Sequence, residues 1–262
     1  MAQDYNGPHR LALNLSDNNV GVNERVNRAV RIATGKFIVL AAGDDISRPD
    51  RVALLVDAWQ AADWGDVSIF SGYEEIDSDG RFVATHIDDF SEETDLHRLM
   101  ETRMYSLVGA THGFAKSVFE HFGDLLTCNA YEDRVISFRS ALLDGVRYVS
   151  KPLVRYRRHE NAISIGRLGE SKLMYKCKEL EIASSIYMNY VKDLQVHAAA
   201  IDKASVYKLQ QTACELYLKN RRRLALLEMT SWRHRIMFLL RHCLRFRVLG
   251  DLSISFWPQR YL

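Results

Sequence analysis

Apolar positions along the first 160 or so residues alternate between two periods. Phe37, Ile38, Val39, Leu40 and Ala41 form an unbroken apolar run of strand length, as expected of a strand buried in a parallel sheet with helices on both faces. Before it, Leu11 to Leu15 alternates like a strand. Asn23 to Ala33 then places Val26, Val30 and Ala33 at helical spacing until Gly35 ends the pattern. After it, a helix with Pro49 in its first turn carries Val52, Leu55, Val56 and Trp59. Val67 to Tyr73 is strand-like, and Asp79-Gly80 turns the chain into Arg81 to Thr85 as a hairpin. Thr94 to Tyr105 has helical spacing, Gly109 to Ala115 is small and irregular, Ser117 to Phe122 is a short helix, and Glu132 to Leu143 is a longer one. Val146 to Val149 and Leu153 to Tyr156 are expected as two short strands around Pro152. From Gly169 onward turn residues are scarce, and Leu173, Cys177, Leu180, Tyr187, Val191 and Leu194 recur at helical intervals. The expected organisation is an α/β unit over residues 1–168 and an all-helical basic unit over residues 169–262.

Composition narrows the setting. With 262 residues, 47% of them hydrophobic, the chain can bury one substantial core. Its four cysteines have no spacing typical of a zinc site or disulfide framework, which fits a reducing, cytoplasmic compartment. Polar residues follow Met1, and no apolar run approaches the ~18 residues a bilayer span requires. The net charge of +2 conceals an asymmetry: residues 1–150 hold 14 Lys+Arg against 24 Asp+Glu, and residues 151–262 hold 21 against 9. Two units with different partners are implied. Between Arg221 and Arg247, eight arginines interleave with Trp232, Met237, Phe238, Leu239 and Phe246. Such a segment either lies on a membrane surface, with the protein peripheral on the inner face of the cell membrane, or covers the first unit while exposing its arginines. Basic charge alone does not select nucleic acid, which is not an expected partner.

The candidate chemistry begins where the apolar run stops, at Asp44-Asp45. Ligands bind off the ends of such strands. Two adjacent carboxylates repel unless a divalent cation lies between them and a phosphate. A plainer reading is that Asp45 or Ser47 caps the next helix. Glu132-Asp133 is open to two readings as well, acid–base chemistry or favourable charge in a helix's first turn.

Taken together, Asn19-x-Gly21, Asn27-Arg28-Ala29, Ala33-x-Gly35, Asp44-Asp45, Pro49-x-Arg51, Glu132-Asp133 and Tyr156-x-x-His159 resemble, in order and spacing, the family 2 glycosyltransferases with the GT-A fold. The resemblance runs from about Tyr5 to Ser164. It implies a GT-A-like, Rossmann-like mixed sheet flanked by helices, and inverting transfer of a sugar from a nucleotide-diphosphate donor, a UDP-sugar first, to a saccharide or lipid-linked acceptor. It further implies Mg²⁺ or Mn²⁺ held by Asp44 and Asp45, with Asn19, Gly21, Arg28 and Asp44 on the donor side. Ala42 departs from the family, where a further Asp is frequent. Asp133 matches the general base, and Glu132 is placed to orient an acceptor hydroxyl. His159 is a candidate third metal ligand, and Arg155, Arg157 and Arg158 are candidates to screen phosphate charge. Gly109 to Gly113, with His112, is either a close approach for the acceptor or a tight turn.

In the family this pattern follows a first β-α-β segment that holds the base and ribose, and residues 1–10 do not supply one. The sheet is therefore expected to be incomplete at its N-terminal side, with an exposed edge that a partner or a second copy of the chain would cover. Two functions stand against each other. One is a metal-dependent glycosyltransferase in polysaccharide or glycoconjugate assembly. The other is a non-catalytic fragment that binds a protein partner or a membrane surface through its basic helices.

Overall fold

The computed structural model describes residues 7–90, 92–93, 95–101, 107–158, 171–197, 203–229 and 231–243. Its centre is a parallel pair, β3 (Ser68–Ile76) and β7 (Val146–Arg157). The sheet extends in the order β1-β6-β3-β7-β2, where β1 is Phe37–Val39, β2 Ile46–Ser47 and β6 Gly113–Ala115. β4 (Phe82–His86) pairs with β3 as the expected hairpin, and β5 (Glu92–Glu93) pairs with β7. Every pairing except β3–β7 is antiparallel, so the sheet is mixed.

Helices close both faces. α1 (Val22–Ile32), α4 (Ser117–Phe122) and α5 (Glu132–Ala141) contribute Val26, Val30, Val118, Phe119, Val135 and Phe138 to one buried cluster with Phe114 of β6. α2 (Arg51–Ala61) seats Leu55 against Val67, Ile69 and Leu153 elsewhere on the sheet. α3 (Leu96–Glu101) brings Leu99 onto Phe70, Val146 and Tyr148. The helical C-terminal part comprises α6 (Lys172–His197), α7 (Lys203–Glu228) and α8 (Trp232–Cys243). It is not a separate layer of its own: Ile182, Ile186, Tyr187, Tyr190 and Leu194 of α6 and Ala213 of α7 belong to the same cluster as Phe119 and Phe138. A buried ion pair reinforces that seam. Arg139 of α5 donates to both carboxylate oxygens of Asp193 on α6 at 2.8 and 3.0 Å, with both side chains fully buried.

The helices follow their 3.6-residue patterns, but three strand expectations need correction. Leu11 to Leu15 forms no strand; Leu11, Leu13 and Leu15 are 51%, 62% and 84% exposed, because no described strand pairs with them. The Phe37 run is shorter than expected. β1 ends at Val39, is half-buried, and pairs antiparallel with β6, which lies between it and β3. β1 is thus an outer strand of the described sheet rather than a central parallel one. Pro152 does not divide β7, which runs unbroken for 12 residues. The ladder with β3 instead shifts register around Ser71 to Tyr73, opposite Val149 to Val154, and such an irregularity accommodates a residue that cannot donate. Arg103 to Tyr105, at the end of the expected Thr94–Tyr105 helix, lies outside the described residues.

Candidate active site

Asp44 and Asp45 sit in the turn between β1 and β2. Asp44 is exposed and Asp45 half-buried. Asp45 Oδ1 accepts the backbone N–H of Arg157 at 2.8 Å, while Oδ2 is buried without a hydrogen-bond partner. Burial pushes the Asp45 carboxyl above the usual range and the charge of Asp44 adds to the effect; the Arg157 N–H opposes it. A buried acceptor left unpaired costs about 1–3 kcal/mol. An oxygen-rich pair of this kind suits a hard divalent cation, which needs only one or two protein carboxylates when substrate phosphates complete its shell. Among the described residues no cluster of three or more His, Cys, Asp or Glu could hold a metal. The proposed third ligand, His159, lies outside the described residues.

The plainer capping reading of Asp45 and Ser47 does not apply, because the helix starts later, after Asp50, and has no side-chain cap. The Ser47 hydroxyl accepts a bond from Arg51 Nη1 at 2.9 Å instead. Arg51 is the residue that holds the site together. It is 1% exposed, and its Nη2 donates to the carbonyls of Leu40 at 2.7 Å and Ala110 at 2.8 Å. The end of β1, the start of α2 and the Gly109–Thr111 turn are thereby pinned by one guanidinium. Burial depresses its pKa, and the charge of Asp45 works against that.

The second carboxylate pair lies across that turn. Asp133 Oδ2 accepts the N–H of Gly109 at 3.0 Å, and Oδ1 accepts that of Arg134 at 2.7 Å. Two donors from different elements fix its orientation. Glu132 packs so close to Gly109 that a Cβ there would stand 2.8 Å from Glu132 Oε1 and 3.4 Å from Asp133 Oδ2; only glycine lets the turn approach both acids. Burial, followed by the charge of Asp133, pushes the Glu132 pKa up to about 8. At neutral pH Glu132 is therefore protonated and can donate a hydrogen bond.

Other expected residues fall elsewhere. Asn19 Oδ1 accepts the N–H of Gly21 at 3.0 Å, and Gly21, at φ +80°, starts α1 in a conformation that favours glycine. Arg28 pairs with Glu24 one turn earlier at 2.7 Å. Local bonds therefore tie Asn19, Gly21 and Arg28 to the α1 start, whereas Arg51 links the neighbourhoods of the two acid pairs. The three arginines near the end of β7 are engaged within the fold. Arg157 donates to the carbonyls of Asp44, Asp77 and Ser78; Arg155 donates to Gly80 and lies 3.6 Å from Glu74; Arg158 lies 3.5 Å from Glu75. Arg157 thereby stitches the β3–β4 hairpin to the Asp44-Asp45 turn, while Arg155 and Arg158 tie β7 to β3 and the hairpin. His112 is fully buried; its Nε2 bonds Ser68 Oγ at 2.9 Å, and burial pushes its pKa down to about 3, with the Arg51 charge adding. It is a neutral interior residue, not a surface for an acceptor. Sequence reasoning gave no role to Arg51 or Gly109 individually. Their signals were an arginine two residues after a proline at a helix start, and a glycine facing an acidic pair distant in sequence.

No protein-family model and no curated protein matches the chain. Among solved structures, S. aureus TarS 1–349 in complex with UDP-GlcNAc aligns over 92% of this chain and 71% of its own, at 14% identity and a TM-score of 0.49. S. aureus TarS aligns over 81% of this chain and 43% of its own, at 14% identity and a TM-score of 0.42.

Proposed function

We propose that the chain is a metal-dependent glycosyltransferase that moves a sugar from a nucleotide-diphosphate donor to an acceptor hydroxyl with inversion. The observation that carries this reading is the Arg51 pin: one buried guanidinium bonds both the end of β1 ahead of Asp44-Asp45 and the turn that Asp133 grips. Asp44 and Asp45 would hold Mg²⁺ or Mn²⁺, which supplies charge neutralisation for a departing diphosphate. Asp133, fixed by two backbone N–H donors, takes the proton of the acceptor hydroxyl as that oxygen attacks from the opposite face of the sugar. Glu132, protonated at neutral pH, orients the acceptor by donating to one of its oxygens. Arg51 and Gly109 position these groups without touching substrate.

Calorimetric titration of the whole chain with UDP tests the donor site, in Mn²⁺ and again in excess EDTA. Saturable binding that disappears with EDTA and in Asp45→Ala is the expected result. Wild-type affinity in Asp45→Ala would remove the metal assignment. A folded chain that binds no nucleotide diphosphate would favour the partner-binding alternative, to which the exposed Leu11, Leu13 and Leu15 and the outer position of β1 also point. No helix among the described residues is long and apolar enough to cross a membrane.

A further inference from the structure

α8 meets the rest of the chain differently from α6 and α7. None of its side chains that the structure describes is buried, and none belongs to the hydrophobic clusters that hold the other two helices. A helix covering the α/β unit would bury an apolar side chain against it; among the described residues α8 buries none. Arg235 Nε donates to the carbonyl of Met229 at 2.8 Å, which ties the first turn of α8 to the end of α7. Ile236 and Met237 are 43% and 60% exposed. Arg233 and His234, also exposed, stand three positions before them and so on the same side of the helix. Trp232–Cys243 contains no carboxylate, and from Lys219 to Arg247 one lysine and eight arginines stand against Glu228 alone. An exposed apolar pair within a basic, acid-free helix matches a surface that is anionic at its boundary and apolar just beneath, as is a bilayer carrying acidic lipids. Nucleic acid offers the same phosphates but little to Ile236 and Met237, because its bases stack on aromatic rings. At 12 residues α8 is ~18 Å long, too short for the ~30 Å hydrocarbon core, so it can lie in the interface but not cross it.

We propose that α8 is an interfacial helix that seats the chain on an anionic bilayer, with Ile236 and Met237 entering the headgroup boundary and the basic surroundings drawing acidic headgroups. The proposal stands apart from the nucleotide-diphosphate reading, because it uses no residue of either acid pair.

The test is co-sedimentation of the full chain with vesicles of phosphatidylglycerol mixed with phosphatidylcholine, and with vesicles of phosphatidylcholine alone. The double variant Ile236→Gln with Met237→Gln and the single variant Met237→Glu are run beside the wild type. Both positions are exposed, so the variants keep the fold, which circular dichroism checks. Expected is sedimentation with the anionic vesicles and not with phosphatidylcholine. Most of it should be lost between ~0.15 M and ~1 M salt, as the screening length falls from ~8 to ~3 Å. Partition should be at least ~10-fold weaker in both variants, through lost apolar contact in one and added repulsion in the other. Equal partition onto both lipids, or wild-type partition in both variants, overturns the interfacial helix. Retention of an RNA or duplex DNA oligonucleotide by a chain that does not sediment with the anionic vesicles also overturns it, since the basic charge would then serve nucleic acid.

Discussion

At the scale of single residues, the two acids of the Glu132-Asp133 pair differ in environment, and that difference is measurable. The folded-state pKa of Glu132, about 8, lies above its ordinary 4.5. The folded chain therefore binds more protons than the unfolded chain between those values, and stability falls as pH rises through that window. Glu132→Gln removes the proton uptake and should flatten the decline between pH 6.5 and 8 by up to ~1.4 kcal/mol per pH unit, read from urea unfolding at each pH. His112 acts in the opposite sense: its depressed pKa of about 3 against 6.5 costs stability as pH falls below 6.5, so the two effects offset each other between pH 4.5 and 6.5 and the Glu132 loss stands alone above that. Asp133→Asn should lower turnover of the nucleotide-sugar by ~10²- to 10⁴-fold with donor binding nearly unchanged; undiminished turnover would remove Asp133 as the base. Both acid pairs were legible in the sequence because charge in pairs is visible at once. Their partners were not, since the Gly109 and Arg157 N–H groups reach them across 24 and 112 positions, and only the fold decides which distant group arrives.

At the scale of elements, helices were readable and strands less so. A helix carries its hydrogen bonds within itself and shows its buried face every 3.6 residues; α1, α2, α5 and α6 lie close to where the spacing of Val26, Leu55, Val135 and Leu180 puts them. A strand depends on its neighbour. Nothing local in Phe37 to Ala41 says that β6 will lie antiparallel beside it, or that β3 will tolerate Pro152 by a register shift. The α5–α6 seam is the strongest element-level contact to test. Asp193→Ala leaves the fully buried Arg139 charge uncompensated and should cost ~3–5 kcal/mol in chemical denaturation. Arg139→Met with Asp193→Leu should recover part of that loss but not all, because Arg139 also donates to the carbonyls of Gly123 and Asp124, which the double variant leaves unpaired.

At the scale of the molecule, the charge asymmetry suggests two units, but the packing joins them. Ile182, Ile186, Tyr187, Tyr190 and Leu194 are buried in the cluster that holds Phe119 and Phe138. At ~1.5–3 kcal/mol for each large side chain, these five contribute roughly 8–15 kcal/mol, comparable with the ~5–15 kcal/mol net stability of an ordinary domain. A chain ending at residue 168 should therefore fail to give a cooperative thermal transition and should bind a hydrophobic dye. A sharp, two-state melt for that fragment would show the helical part to be an accessory.

The Arg51 pin has a consequence for how the protein comes into being. The guanidinium joins Leu40 to Ala110 across the sheet, Ala110 adjoins the glycine that meets Asp133, and Asp45 is met by Arg157 from the far end of the last strand. Every one of these contacts except the first closes a long loop, and long-loop contacts form late. Both acid pairs are therefore expected to come into place late in folding. In a refolding experiment, recovery of ligand affinity should lag behind recovery of helical circular dichroism, making the site a clock for completion of the fold.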